Sequence, residues 1–410
     1  MEKDKFKILI VGNGAAASAL TKKISQYEYV EKIFSTGGIS DCVEIIDIRE
    51  DDLTGLLMFA WENKIDLTIP ISPKALEADI VSFFQSNGQN IFGPSRESCN
   101  FIFNNISCKK FLYKLHASVA KFGMYNKLSQ IGDYLKNSAY PVLLKSAQNT
   151  ASEDEKMICT TYKNAMDFAD KLFLKGEIDV LIEDFVMGHN FTIYFVTDGY
   201  SAIPLNIVGN YKFLDKNGGI YTDGCACYCP DYKISNTIID EVKKIVTNIL
   251  NCLDNDGKPY TGILGINCVL TKNENFLIQD IKPFLQNHDA RAVLNLCEDD
   301  LIKIFISCIN GFFSDEYEQI KTNDCSSVAV CVYSDLDNSE ISGLEDIEDV
   351  DFINIKKDNE KYYSQIGMNF TLTKTAMTLS RAKKYLSEEI EDIKFAGMKY
   401  RKDIYDKIEQ

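Results

Sequence analysis

Residues 7–24, KILIVGNGAAASALTKKI, carry the pattern that decides the fold class at the start of this chain. The apolar run from Lys7 to Val11 predicts a strand, the turn Gly12-Asn13-Gly14 follows it, and the small residues from Ala15 to Ile24 predict a helix. A strand, a glycine turn and a helix in this order open a βα unit. We therefore expect a parallel sheet with helices on both of its faces.

The next eighty or so residues continue this alternation of helix and strand. The sequence predicts a helix at 53–60, a strand at Asp66 to Ile71, a helix at 80–84 and a short strand at Ile91 to Ser95 that ends in a turn. We therefore place a doubly wound parallel-sheet domain at residues 1–105.

From about residue 106 the pattern changes to one typical of an α+β unit. Its first predicted strand, Tyr140 to Lys145, has an antiparallel partner at Met157 to Thr161. The other predicted elements are a helix at 165–174, strands at 180–183, 191–196, 202–208 and 220–228, a helix at 236–253, and paired strands at 262–270 and 275–282. We place this second unit at residues 106–324, with a small subdomain at about 118–185.

A third unit is predicted at residues 325–410. It begins with a strand at Ser327 to Tyr333 and continues through an acidic loop from Asp335 to Asp351. A strand pair near Phe352 and Phe370 and a helix at Ala376 to Leu386 follow. We therefore expect a small C-terminal α+β domain.

Charge and composition exclude several classes of function. The 410 residues include 44 Lys and Arg against 60 Asp and Glu, a formal net charge of −16. Such an acidic surface repels nucleic acid and anionic lipid, so a small-molecule or nucleotide ligand is favoured over either. No apolar run is long enough for a signal peptide or a membrane span, so we expect a cytoplasmic protein.

The 13 cysteines are expected to be reduced thiols that pack as small apolar side chains. Cys225, Cys227 and Cys229 alternate along a predicted strand, which puts all three on one face. Zinc sites favour two-residue gaps and additional His ligands, and the chain has 3 histidines in all. A zinc site is therefore not favoured here.

The glycine turn is open to three interpretations. The pattern Gly12-x-Gly14-x-x-Ala17 between a strand and a helix has the geometry of a phosphate-binding turn. A nicotinamide dinucleotide also requires an acidic residue about twenty positions later, where Ile33 to Thr36 supply none. The alternatives are glycine packing with no ligand and a different phosphorylated ligand.

Charged residues at the ends of apolar strands indicate a second candidate site. Lys145 ends a strand where its ammonium needs an anion or water, so it is a candidate phosphate contact. The segment Glu183-Asp184-Phe185-Val186 could present its backbone to a purine edge, although solvated acids at a strand end are an equally simple interpretation. A strand period of two places Gln279 and Ile281 on one face and Asp280 and Lys282 on the other.

Seven segments in this order resemble the glycinamide ribonucleotide synthetase family, the phosphoribosylamine–glycine ligases, which are ATP-grasp ligases. They are residues 8–14 (ILIVGNG), 64–69 (KIDLTI), 91–94 (IFGP), 141–145 (PVLLK), 182–185 (IEDF), 260–262 (YTG) and 401–404 (RKDI). The resemblance covers nearly the whole chain. It implies an N-terminal doubly wound domain for phosphoribosylamine, a central ATP-grasp fold around the nucleotide, and a small C-terminal domain.

The resemblance also implies residue roles and a reaction. Lys145 would contact the nucleotide phosphates, Glu183 to Val186 would bind adenine, and Asn190 would lie in the segment that contacts the ribose. ATP with magnesium would activate the glycine carboxylate as an acyl phosphate, which the amine of phosphoribosylamine then attacks.

This chain departs from the family pattern at the positions that carry the chemistry. Where the family has Gly-Arg-Glu-His after its glycine turn, the chain has residues 15–18, AAAS, with no side chain for a ribose phosphate. The family's substrate loop Pro-Glu-Ala-Pro-Leu appears as residues 72–76, SPKAL. Its glycine-rich loop over the phosphates is replaced by Ala147 to Glu155, which contains no glycine and three acids.

The magnesium strand of the family, Ile-Glu-Phe-Asn, aligns with residues 278–281, IQDI. Alternation puts Gln279 and Ile281 on the ligand face and turns Asp280 away, so Gln279 and Asp280 are no more than candidate metal ligands. We therefore expect a family member with low or no activity. An active ATP-grasp ligase with another substrate and a nicotinamide-dependent oxidoreductase are the alternatives.

Overall fold

A computed structural model describes residues 5–38, 42–148, 155–215, 218–344, 347 and 349–403. Residues 149–154 of the loop Ala147 to Glu155, and Ile404 of the last resembling segment, lie outside the described residues.

The chain begins with a four-stranded parallel sheet between helices. Its elements are β1 Phe6–Val11, α1 Ala15–Ile24, β2 Val30–Ser35, β3 Glu44–Ile45, α2 Leu53–Asn63, β4 Leu67–Pro70, α3 Pro73–Glu77, α4 Ile80–Ser86, α5 Arg96–Cys99 and α6 Asn105–Lys114. The strand order is β3-β2-β1-β4. Ile8 and Ile10 pack in the same core as α1, whereas Leu9 and Val11 pack with α2 and α4. This alternation confirms the predicted doubly wound sheet.

The strand predicted at Ile91 to Ser95 is reduced to a single parallel bridge between Thr68 and Ile91. Gly93 approaches Pro70 so closely that a Cβ atom there would lie 2.8 Å from the proline ring. The chain turns away from the sheet at this point, so the ladder does not extend.

A small antiparallel sheet follows, with the order β5-β8-β6-β7. Its elements are β5 Phe122–Tyr125, α7 Leu128–Leu135, β6 Val142–Ser146, β7 Lys156–Cys159, α8 Tyr162–Leu174 and β8 Val180–Asp184. Leu143 pairs with Ile158, as the predicted antiparallel partnership requires. The amphipathic helix α8 covers one face of this sheet with Phe168 and Leu172.

A long antiparallel sheet forms the centre of the molecule. Its first elements are β9 His189–Gly199, β10 Ala202–Asp215, β11 Gly218–Cys229, α9 Asn236–Asn255, β12 Tyr260–Leu270, β13 Phe276–Lys282, α10 Ala290–Leu294, α11 Leu301–Asn310 and α12 Phe313–Glu316. Ser235 begins α9 by accepting a hydrogen bond from the N–H of Ile238. Val242, Val246 and Ile249 then recur at helical spacing and pack against the sheet.

Some of the C-terminal strands extend this central sheet, and others form a separate small sheet of order β15-β18-β17. The C-terminal elements are β14 Ser326–Ser334, β15 Glu340–Ile341, β16 Val350–Phe352, β17 Ile355–Asp358, β18 Lys361–Ser364, β19 Gly367–Ala376, α13 Leu379–Ile390 and β20 Met398–Lys399. The sheet order is β13-β12-β9-β10-β11-β14-β19-β16, so it crosses the boundary predicted at 324–325, which remains a prediction.

The predicted pair near Phe352 and Phe370 is present, because β16 pairs with β19. The last helix begins later than predicted, since Ala376 ends β19 and Thr378 caps α13. Among the described helices, none is long and apolar enough to cross a bilayer.

Candidate functional site

A narrow cleft lies between the small sheet and the central sheet. Both walls contribute charged and aromatic side chains. The lining residues are Lys109, Ala120, Leu143, Lys145, Lys156, Glu183, Asp184, Phe185, Val186, Lys212, Tyr221, Asp223, Val269, Leu277, Ile278, Gln279 and Asp280. Lys145, the segment Glu183 to Val186, Gln279 and Asp280 thus meet in one cleft, whereas Asn190 and the turn Gly12 to Gly14 are not among its lining residues. The roles of all these residues as ligand contacts remain predictions.

Glu183 holds two lysines at the base of the cleft. One carboxylate oxygen lies 2.7 Å from Nζ of Lys109 and the other lies 2.8 Å from Nζ of Lys145. All three side chains are buried. Burial opposes ionisation of Glu183, but the two ammonium groups outweigh it and lower its pKa. One carboxylate therefore fixes both lysines in place at the cleft wall.

Lys109 is a residue that sequence reasoning missed. It lies on α6 between the buried residues Ile106 and Leu112, with a spacing of three along the helix. Its Nζ also donates to the carbonyl of Ile278 at 3.2 Å. A lysine on the apolar stripe of a helix is the signal that could have identified it.

A second ion-pair group lies on the opposite side of the cleft. Asp223 on β11 contacts Nζ of Lys156 at 2.5 Å, and its other oxygen lies 3.8 Å from Nζ of Lys282. Although burial opposes its ionisation, Lys282 and Lys156 hold the pKa of Asp223 well below its usual range. Asp223 is therefore an anion whose two lysine partners come from two other strands, β7 and β13.

The strand that carries the candidate metal ligands contains a β-bulge. Asn267 on β12 pairs with Asp280, but the next residue, Cys268, pairs with Ile278, so Gln279 is the extra residue. The bulge turns Gln279 and Asp280 into the cleft together, while Ile281 is buried in the apolar core. The expectations that Asp280 points away and that Ile281 lies on the ligand face were therefore wrong. The bulge reorients Gln279 and Asp280 locally. A slip of the whole strand would also have turned the core side chains to the wrong face.

Gln279 and Asp280 both accept hydrogen bonds from other side chains of the protein. Nζ of Lys212 donates to Oε1 of Gln279 at 2.6 Å, and Nδ2 of Asn267 donates to Oδ1 of Asp280 at 2.5 Å. Burial lowers the pKa of Lys212, although the carboxylate of Asp280 opposes the change. Lys212 therefore lies beside Asp280 at the position where a magnesium site would need a second carboxylate.

The residues present do not fit the magnesium ion that the fold family implies. Within the described ranges, no three His, Cys, Asp or Glu side chains come together as a metal-ligand group. Magnesium prefers several oxygen ligands in octahedral geometry. Gln279 and Asp280 offer one amide and one carboxylate, and both are already hydrogen-bonded. Lysine ammonium groups surround them instead.

The three cysteines on β11 do not form a metal site in the described residues either. All three are buried, and their thiols donate to backbone carbonyls, for example Cys227 to His288 at 3.3 Å. They act as small packed side chains.

The glycine turn is occupied by the protein itself. The N–H of Ala16, at the start of α1, donates to Oδ1 of Asn287 at 3.0 Å. Gly14 has φ 89°, and a Cβ atom there would lie 3.0 Å from the same oxygen. The N–H of Gly12 donates to the hydroxyl of Thr36. The predicted phosphate-binding turn Gly12-Asn13-Gly14 therefore presents an amide oxygen of Asn287 at the position where an anion would bind.

The candidate adenine segment is partly used by its own sheet. The N–H groups of Asp184 and Phe185 donate to the carbonyls of Lys121 and Pro141 at 2.9 and 3.2 Å. The ring of Phe185 packs edge-on against Tyr221, with centroids 6.0 Å apart. The segment thus offers an aromatic wall, its carbonyl oxygens and the N–H of Val186 to a planar ligand.

Asn190 and its neighbour His189 lie on opposite faces of β9. Asn190 pairs with Val269, a lining residue, so its side chain is on the cleft face. On the other face, His189 contacts the buried carboxylate of Asp231 at 2.5 Å, and the hydroxyl of Tyr228 donates to the same carboxylate at 3.0 Å. Asn190 therefore stays a candidate contact, whereas the side chain of His189 is used within the protein.

Comparison with known proteins covers nearly the whole chain. Residues 6–101 match the family model described as the N domain of phosphoribosylglycinamide synthetase, and residues 105–282 match its ATP-grasp (A) domain. Phosphoribosylamine–glycine ligase from Clostridium acetobutylicum is 28% identical over 415 residues, 97% of this chain and 99% of the relative. The corresponding protein from Caldanaerobacter subterraneus is 26% identical over 420 residues, with coverage of 97% and 99%.

Solved structures show the same fold. Phosphoribosylamine–glycine ligase from Thermotoga maritima superposes with a TM-score of 0.81 at 17% identity, over 97% of this chain and 99% of that one. Biotin carboxylase from Campylobacter jejuni gives a TM-score of 0.70 at 14% identity, with coverage of 96% and 92%. By its matching N and ATP-grasp domains, the chain belongs to the phosphoribosylglycinamide synthetase family of ATP-grasp proteins.

Proposed function

We propose that this chain binds an adenine nucleotide in the cleft between its small and central sheets and carries out little or none of its family's ligase reaction. Membership of the family and the resemblance to phosphoribosylamine–glycine ligases support ATP as the ligand. The proposal of low ligase activity rests on the bulge at Gln279. There the ammonium group of Lys212, in place of a metal ion, contacts the amide oxygen of Gln279.

The cleft offers charged and aromatic groups suited to a nucleotide. Lys109 and Lys145, fixed by Glu183, present ammonium groups that can donate to phosphate oxygens. Phe185 and Tyr221 supply aromatic surface for the base, and the N–H of Val186 and neighbouring carbonyls supply its polar contacts. Asn190 lies on the same face and would meet the ribose.

Phosphoryl transfer is the step that this cleft does not support. The reaction depends on cations that bridge the phosphates and on groups that stabilise the transferring phosphoryl group. Gln279 and Asp280 are hydrogen-bonded to Lys212 and Asn267, so they do not form a magnesium clamp. The turn at Gly12 to Gly14, which would bind the ribose phosphate, is filled by Asn287. Two requirements of the family reaction are therefore missing at separate places.

An active ligase with a different substrate is the second candidate. It is favoured by the position of Asp223, which lines both the nucleotide cleft and a second cleft beside the N-terminal domain. An activated carboxylate and an acceptor could meet there. The oxidoreductase alternative loses support, because Asn287 fills the turn that a dinucleotide pyrophosphate would use.

Calorimetric titration with ADP tests the first half of the proposal. The wild-type protein should bind ADP, and Lys145→Met should weaken binding by about 10- to 150-fold, which corresponds to the loss of a charge-assisted contact of about 1.5–3 kcal/mol. Lys110→Met is the matched control, because Lys110 is exposed and does not line the cleft. An unchanged dissociation constant in Lys145→Met would remove Lys145 from the site, and no heat with the wild-type protein would refute nucleotide binding. A cytoplasmic location and the absence of nucleic-acid and membrane partners stay part of the proposal.

A further inference from the structure

Lys156 and Asp223 form an ion pair that crosses the nucleotide cleft. Lys156 lies on β7 of the small sheet, and Asp223 lies on β11 of the central sheet. Nζ of Lys156 is 2.5 Å from Oδ1 of Asp223, and the lysine side chain is 9% exposed against 30% for the aspartate. The pair therefore ties the two walls of the cleft together at a place that is largely shielded from water.

Lys156 is also the direct neighbour of Lys145. The two residues are paired in the antiparallel register of β6 and β7, so their side chains lie on the same face of the small sheet. Both of them line the cleft. Glu183, in the same sheet, compensates the charge of Lys145. The charge of Lys156 is instead compensated by Asp223, from the opposite wall.

A phosphate group in the cleft would compete with Asp223 for Lys156. A phosphate that reaches Lys145 also comes within reach of Lys156, because the two side chains are neighbours on one face. The cleft is narrow, and the edge-on contact between Phe185 and Tyr221 joins the same two walls. Entry of a nucleotide therefore requires the walls to separate and Lys156 to leave Asp223.

Asp223 can release Lys156 without becoming an isolated buried anion. Nζ of Lys282, in the same central sheet as Asp223, lies 3.8 Å from its second carboxylate oxygen. Separation of the two walls leaves this contact in place, because Asp223 and Lys282 belong to one sheet. Burial lowers the pKa of Lys156, and Asp223 opposes the change. The released ammonium group therefore favours another anion, such as a phosphate oxygen.

We propose that the ion pair between Lys156 and Asp223 is an autoinhibitory latch on the nucleotide cleft. It holds the small sheet against the central sheet, and a nucleotide binds when its phosphate replaces Asp223 as the partner of Lys156. This inference rests on the proposed nucleotide site and assigns the regulation of that site to Asp223.

Hydrogen exchange of the full-length protein without nucleotide tests the latch by itself. Asp223→Asn and Lys156→Met each break the ion pair, so the backbone amides of β7 should exchange about tenfold faster than in the wild type. Lys163→Met is the matched control, because Lys163 is exposed on α8 of the same unit and does not line the cleft. Exchange of β7 at the wild-type rate in both latch variants would overturn the inference.

Stopped-flow binding of mant-ADP, a fluorescent form of ADP, tests whether the latch limits entry. The observed rate for the wild type should level off at high mant-ADP concentration, because opening of the latch precedes binding. Asp223→Asn and Lys156→Met should both raise this plateau about tenfold, and Lys163→Met should not. A wild-type rate that rises linearly with concentration, or the same plateau in all the proteins, would overturn the inference.

Equilibrium titration with ADP distinguishes the latch from an ion pair that is only structural. Asp223→Asn frees Lys156 for the phosphate, so it should bind ADP about tenfold more tightly than the wild type. Lys156→Met also opens the latch but removes the phosphate contact, so it should bind ADP about tenfold more weakly than Asp223→Asn. Equal affinity in the two variants, or weaker binding by Asp223→Asn than by the wild type, would overturn the inference.

The same samples separate this inference from the nucleotide site on which it rests. Faster hydrogen exchange in the latch variants with no ADP binding by any protein would contradict the nucleotide site alone. ADP binding with unchanged hydrogen exchange and an unchanged plateau would contradict the latch alone. If one of the two latch variants does not fold, the exchange and plateau of the other still decide.

Discussion

Replacing Glu183 by Gln removes the negative charge between two buried ammonium groups. Glu183 contacts Lys109 at 2.7 Å and Lys145 at 2.8 Å, and all three side chains are buried. Glutamine keeps the size and one hydrogen-bond acceptor but leaves two cations that are poorly compensated in a low-dielectric interior. We therefore expect the variant to fold with a clear loss of stability.

The size of the loss follows from the burial of the network. Breaking a buried ion pair by removing one partner costs about 3–5 kcal/mol. The entropy of unfolding is about 2.1 cal/mol/K per residue, or about 0.9 kcal/mol/K for 410 residues, so the melting temperature should fall by about 3–6 °C. Differential scanning calorimetry of the nucleotide-free protein measures this shift.

Asp184→Asn is the matched control, because Asp184 is the next residue and is half-buried at the mouth of the cleft. Its melting temperature should stay within about 1 °C of the wild type, as for substitutions of about 0.5 kcal/mol or less. Equal, small shifts in the two variants would refute the claim that Glu183 organises the two lysines.

Three further predictions follow from the same contacts. Chelation of divalent metal by EDTA should change the ADP dissociation constant less than threefold in calorimetry, since lysines supply the positive charge facing the phosphates; a loss of tenfold or more would contradict the absence of a metal clamp. The ammonium groups of Lys282 and Lys156 overcome burial and depress the pKa of Asp223, so its contribution to stability is complete above its unfolded pKa of about 3.9 and is lost as the pH falls toward its folded pKa. The melting temperature should therefore fall less steeply below about pH 4 in Asp223→Asn than in the wild type, and equal slopes would count against this. Asn287→Ala should lower stability by about 1 kcal/mol, as loss of a helix cap does, and an unchanged melting curve would show that Asn287 does not close the turn.

Local sequence patterns predicted the elements that depend on neighbouring residues. Periodicity and capping act over a few residues. They predict the strand and helix around Gly12, the paired strands β6 and β7, and the long helix α9. The same patterns placed Lys145, Glu183 and the segment Asp184 to Val186 at strand ends that meet in one cleft.

The errors at the site have a common cause in contacts between distant segments. The bulge at Gln279 depends on the register with β12, and a period of two in one strand contains no information about an inserted residue in the pair. Asn287 reaches Ala16 across 271 positions of sequence, so no pattern near Gly14 could predict that the turn would be filled. Lys109 pairs with Glu183 across two elements and was missed for the same reason.

The most direct test of the account is the family reaction itself. ATP, magnesium, glycine and freshly generated phosphoribosylamine are incubated with this protein, and with the Clostridium acetobutylicum relative as the positive control, and glycinamide ribonucleotide is measured by mass spectrometry. The account predicts product with the relative. With this protein it predicts no product above the enzyme-free background, even at ATP concentrations that saturate the proposed nucleotide site. Magnesium-dependent product at a rate comparable with that of the relative would contradict the account.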